Sequence, residues 1–172
     1  SPGTETKNTK NDIINILNAM CKDIKKAKSI DKKRLQNMLR HIGLVSDMLN
    51  VLLKRLIYKE ISYRDLFQQC IDFFYHCCQD NSSCQKILLP DLNFFLDMMN
   101  KQIETGHLIS EIIKSNKDVN YSQNFAKYLI NKITNEGYFK SSLFTQLIKL
   151  AENKMNIDEE IEDLFLSNAT KE

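Results

Sequence analysis

The stretch Leu66–Met99, LFQQCIDFFYHCCQDNSSCQKILLPDLNFFLDMM, decides the fold. Leu66, Cys70, Phe73 and Cys77 recur at spacings of four, three and four, and Phe67, Ile71, Phe74 and Cys78 repeat that pattern one residue later. Two adjacent stripes make an apolar face wider than a single neighbouring helix can cover. Gln68, Asp72, Tyr75 and Gln79 fall on the remaining side, so the helix is buried broadly but not all round. Such a helix needs partners on both flanks, the position of a middle layer in a stacked helical array.

Upstream, Asp12 is expected to cap a helix with Ile13, Leu17, Met20, Cys21 and Ile24 inward, and Asp31 a second with Leu35, Met38, Leu39 and Ile42 inward. Gly43 then stands where a left-handed C-terminal residue is wanted. Leu44, Met48, Leu49, Leu52, Leu53 and Leu56 make a third apolar helix, and Ser62-x-x-Asp65 reads as the cap of the central one. After the stop near Asp80-Asn81, Ser82-x-x-Gln85 reads as another capping box. Pro90-Asp91 breaks that short helix and starts one with Leu92, Phe95, Leu96 and Met99 inward. Thr105-Gly106 leads into Leu108, Ile109, Ile112 and Ile113. Helices follow around Phe125, Leu129 and Ile133, around Leu143, Phe144, Leu147 and Ile148, and around Ile161, Leu164 and Phe165. The links are short, giving about nine or ten helices in one all-α domain.

Composition agrees. The 172 residues include only four Gly and two Pro, few turn-makers for a sheet protein, and no run alternates with period two. Residues 1–10 read as a polar scar and linker, 11–168 as the helical domain and 169–172 as a polar tail. The start SPGTETKNTKND is too polar for a signal peptide, and no segment approaches the ~20 apolar residues of a membrane span. No membrane contact is expected of the chain. A net charge of +2 hides a basic stretch, Lys22 to Arg40, and an acidic one, Asp158 to Asp163. The overall balance is too small to point to nucleic acid. Cysteines on apolar helix faces, without a framework spacing, suit a reducing compartment.

Taken in order, QNMLRHIGLVSDMLNVL, CIDFFYHCCQDNSSCQKILLPDLNFFL, ISEIIKSN and LFTQLIKLAENK resemble the ryanodine and inositol trisphosphate receptor homology domain, over about Lys32 to Phe165. The most specific parts are the Leu39-Arg40-x-x-Gly43 corner, the Gln85-x-x-Leu88-Leu89 step and Ala151-Glu152-Asn153-Lys154. The resemblance implies an armadillo-like stacked array, a right-handed superhelix, in the cytosolic part of a tetrameric calcium-release channel of the endoplasmic reticulum or another calcium store. Its partners there would be neighbouring helical domains of the same subunit. The family's ligand-binding copy uses basic residues before the Gly corner and a basic run ahead of the Asn-Gln step. Here the second position reads Asn81-Ser82-Ser83-Cys84-Gln85, with no cation, and Leu35 and Asn37 replace basic residues of the first. The chain therefore resembles the central copy, which couples rather than captures ligand.

Other chemistry is thinly supported. Lys32, Lys33 and Arg40 are the candidate phosphate ligands, with inositol phosphate as the secondary partner. Cys70, His76, Cys77, Cys78 and Cys84 lack the paired spacing of a zinc site, because Cys70 and Cys77 share a face with Phe73. His41, His76 and His107 have no carboxylate at a spacing suited to acid–base work, and there is no Gly-rich phosphate loop, GxSxG or HExxH. No catalysis, metal or cofactor is expected. Phe94, Phe95, Met98 and Met99 read as core before groove.

Overall fold

A computed structural model describes residues 2–56, 63–99 and 103–114, with side chains described for 7–55, 63–98 and 103–113, so the inward assignments of Leu56 and Met99 fall outside it. The readings around Ile133, Leu147 and Phe165, and the cap at Ser62, lie outside these residues. Among the described residues every regular element is helical and no strand occurs. The elements are α1 (Pro2–Lys26), α2 (Ser29–His41), α3 (Leu44–Asp47), a π-helical segment (Met48–Leu53), α4 (Lys54–Leu56), α5 (Arg64–Cys78), α6 (Ser82–Leu88), a 3₁₀ turn (Leu89–Asp91), α7 (Leu92–Met99) and α8 (Gly106–Lys114).

The central helix α5 is flanked as its two stripes require. All eight stripe residues, Leu66 through Cys78, are buried, with Phe73 and Phe74 fully so. α1 packs along one flank and α8 along another, while α2 and α6 close over its C-terminal half. Leu17, Cys21 and Ile24 are the inward residues of α1, and Leu108, Ile109, Ile112 and Ile113 those of α8. Phe74 also meets Phe95 of α7 edge-on, with ring centroids 6.3 Å apart. Phe95 and Met98 are therefore core, and Phe94 packs partly against it.

Three expected helix starts are corrected. α1 already runs from Pro2, so Asp12 sits inside the helix and cannot cap it. Pro2 at the first position fits that start, because proline costs nothing where the backbone N–H has no helical partner. α2 begins at Ser29, which puts Asp31 in the first turn beside the positive end of the helix dipole and 4.0 Å from Arg34. α6 is capped by Asn81 instead of Ser82: the Asn81 side-chain oxygen accepts from Cys84 N at 3.2 Å. Asparagine at that position takes the role expected of the serine hydroxyl.

Two inward assignments on α2 also change. Leu39 is buried and Leu35 half-buried, but Met38 and Ile42 face solvent, while Gln36 is buried in their stead. Gly43 has φ +78°, the left-handed corner that a Cβ would strain, and its N–H closes the turn onto Arg40 O at 3.0 Å. Beyond it the chain winds more loosely. Met48–Leu53 is π-helical, holding Met48, Leu49 and Leu53 inward with Val45 of α3 and turning Val51 outward.

Candidate functional site

The C-terminal end of α5 carries a polar junction that four helices share. A helix end leaves its last carbonyls without partners, and buried ones must find donors elsewhere. Here side chains of α2 and α6 supply them. Gln36 Nε2 of α2 donates to His76 O at 2.8 Å and to Gln79 O at 3.0 Å. Gln85 Nε2 of α6 donates to Cys78 O at 2.9 Å. Asn81 then ties the two donors' helices together: its Nδ2 donates to Gln36 Oε1 and to Asn37 Oδ1, both at 3.1 Å.

The chain reverses direction at Asp80, whose φ of 54° is the left-handed conformation unusual for a residue with a side chain. Its N–H points to α8, where Glu111 Oε1 accepts it at 2.7 Å. The same oxygen accepts from Gln85 Nε2 at 3.3 Å. Gln36, Asn81, Gln85 and Glu111 are all buried, so this is a polar network sealed from water. Such networks are costly if one member is removed and fix a single relative placement of the elements they join.

A second polar contact holds α8 near the N-terminal half of α5. Gln68 and Glu104 exchange a reciprocal pair: Gln68 Nε2 donates to Glu104 O at 3.0 Å and Glu104 N donates to Gln68 Oε1 at 2.9 Å. One turn on, Asp72 Oδ1 lies 3.3 Å from His107 Nε2, and the His107 ring meets Tyr75 edge-on at 4.8 Å. Thr105 Oγ1 donates to Phe95 O at 2.7 Å, anchoring the start of α8 to α7.

The three candidate phosphate ligands are spread along one helix. All lie on α2, but Lys33 and Arg40 are seven residues apart, about 10 Å along the axis. Lys32 is turned about 100° from Lys33, toward His76, where its charge helps hold that imidazole's pKa down. Burial is the larger cause of the His76 shift, with Lys25 next; Asp72 opposes it. Arg40 is half-buried and donates from Nη2 to His41 Nε2 at 3.4 Å. Lys33 is exposed.

The cysteines are free thiols and buried. Burial pushes Cys21 up to about 11 and Cys70 up to about 12, and it pushes Cys77 and Cys78 well above the ordinary thiol range. Burial raises Cys84 too, against the pull of Arg40. Thiolate is the nucleophile and the metal-binding form, so these sulfurs act as small apolar packing groups at neutral pH. No group of three or more His, Cys, Asp or Glu side chains gathers at metal-binding distance among the described residues.

Sequence periodicity flags the junction only faintly. Gln36 interrupts the inward side of α2 between Leu35 and Leu39, and Glu111 sits between Leu108 and Ile112 on the inward face of α8. A polar residue at a core position is the signal, but its partner lies tens of residues away and no local pattern names it. No described helix is long and apolar enough to cross a membrane. No protein-family model, curated protein or solved structure matches the chain.

Proposed function

We propose that the chain is a non-catalytic regulatory domain of a calcium-release channel of the inositol trisphosphate or ryanodine receptor type, similar to the family's central copy. In this reading it belongs to an armadillo-like superhelix and passes ligand-induced movement toward the pore. One observation carries the reading. The helices that hold two of the motifs on which the resemblance rests, α2 and α6, are joined at the end of α5 through Gln36, Asn81 and Gln85. A relay needs elements that move as one body, and a sealed polar network shared by α2, α5, α6 and α8 couples them in that way. Packing of α5 between α1 and α8 suits a middle layer of a stack.

The test is functional. In the parent channel, Gln36→Ala combined with Asn81→Ala is expected to lower evoked calcium release several-fold while equilibrium binding of the opening ligand stays unchanged. Unaltered release, or a parent reading frame with no pore-forming membrane spans, overturns the proposal. Calorimetry with inositol trisphosphate at low salt is expected to give no heat. Heat that disappears in Lys33→Ala with Arg40→Ala would move the reading to direct inositol phosphate binding. An intact parent without a pore would make the chain a free-standing armadillo-type adaptor.

A further inference from the structure

The outer face of α2 has the wrong composition for a surface left to water. Ile30, Met38 and Ile42 are 70%, 52% and 64% exposed, and with Arg34 they stand at intervals of four residues. Side chains at i, i+4 and i+8 form one continuous ridge on a helix, here about 18 Å long, of the kind that packs into the groove of another helix. The ridge is basic as well as apolar. Lys33, Arg34 and His41 are exposed on α2, against one carboxylate of the helix, Asp31, which pairs loosely with Arg34. Nothing among the described residues covers this side, because α2 meets α1, α3, α5 and α6 through its opposite face.

The chain carries a complementary partner in its own sequence. Residues 157–166, IDEEIEDLFL, place Ile157, Ile161, Leu164 and Phe165 at helical spacing on one stripe. Asp158 and Glu162 flank that stripe on one side and Glu160 on the other. Five carboxylates within ten residues are matched by no cation in the segment. It lies outside the described residues, roughly forty positions beyond α8, a length of chain that spans well over 50 Å even when largely helical. Reach is therefore not limiting.

We propose that the outer face of α2 is the docking face for the acidic amphipathic segment 157–166 of this chain. Ile161, Leu164 and Phe165 seat along Ile30, Met38 and Ile42, and the flanking carboxylates meet Lys33 and Arg34.

The chain has no tryptophan, so Met38→Trp is a unique fluorescent reporter at an exposed position whose substitution leaves the core intact. In the full chain its emission is expected to lie to the blue of a solvent-exposed indole. Charge reversal of the segment (Asp158→Lys, Glu160→Lys and Glu162→Lys) is expected to shift it to the red, and added Lys33→Glu with Arg34→Glu to restore it. Far-UV circular dichroism on each variant separates loss of docking from loss of fold. Sedimentation of the same samples shows whether the segment comes from the same molecule or a second copy. Solvent-like emission in the unreversed chain overturns the proposal. So does a blue shift that ignores charge reversal, whether it depends on phosphatidylserine vesicles or on protein concentration; the first assigns the face to a membrane surface, the second to a different contact between copies.

Discussion

α5 is held differently on its two flanks. Against α1 the described contact is largely apolar, through Leu17, Cys21 and Ile24, and Gln69 Nε2 donates to Cys21 Sγ over a long 3.7 Å. Against α8 a similar apolar seam, Leu108 to Ile113, is bracketed by polar contacts at both ends: Gln68 with Glu104, and Glu111 with Asp80 and Gln85. Apolar burial is strong but non-directional, so it holds two helices together without specifying their register. Directed hydrogen bonds to buried groups specify it. Directed bonds thus fix α8, α6 and α2 at the end of α5, whereas the described contact with α1 rests on apolar packing.

The largest test concerns what both flanks share. Phe74 is fully buried and touches Phe73 and Phe95. Phe74→Ala is expected to cost roughly 3–5 kcal/mol in urea melts, as a cavity in a packed core does. A loss below about 1 kcal/mol would mean that the seam is not the common core of the two flanks.

Next comes the lock itself. Glu111→Ala strips an acceptor from Asp80 N and Gln85 Nε2 and is expected to destabilise by about 1–3 kcal/mol, the cost of leaving buried donors unpaired. Hydrogen exchange should read the asymmetry directly. In the unmodified protein, amides of α1 are expected to exchange by a local opening well below the global free energy, and those of α8 only with the core. Glu111→Ala is expected to bring α8 down toward α1. Equal protection of α1 and α8 in the unmodified protein would remove the distinction.

Periodicity alone makes the apolar seams legible in the sequence. The two stripes of α5 and the four inward residues of α8 stand where spacing puts them, because burial imposes a period on sequence. Helix starts are less legible: Asn81 and Ser82 are both competent caps, and adjacent alternatives differ only in backbone geometry. The lock is nearly invisible at that level. Gln36 and Glu111 are 75 positions apart, and each meets the loop at Asp80–Asn81 only once the helices have stacked. Lys32, Lys33 and Arg40 are conspicuous for the opposite reason, since like charges on one helix stand out in sequence without any partner named.

A smaller effect probes the region where the α1 flank meets the locked end. His76 has its pKa lowered by burial first and then by Lys25 of α1, with further contributions from His107 and Lys32. The unfolded chain therefore binds more protons than the folded one between the lowered value and about 6.5, so stability falls as pH drops through that window. A modest fall in Tm from pH 7.5 to 5.5 is expected, and it should be reduced in His76→Gln. An identical pH dependence in that variant would show that burial and Lys25 do not hold the His76 pKa down. Smallest in energy but simple to read, the five thiols are expected to resist a thiol reagent at pH 7.5 until the chain unfolds, with Cys21 on the α1 flank the first to react.

The π-helical winding of Met48–Leu53 has a consequence for how the sequence can change. Such a segment holds one more residue per hydrogen-bonded ring than the α-helix on either side. Losing a single position there, Val51 being the outward one, would let ordinary winding run from Leu44 to Leu56 with both ends still facing as before. A one-residue deletion in α5 would instead rotate everything beyond it by about 100°. The loosely wound stretch is where this chain can shorten without reorienting what it carries.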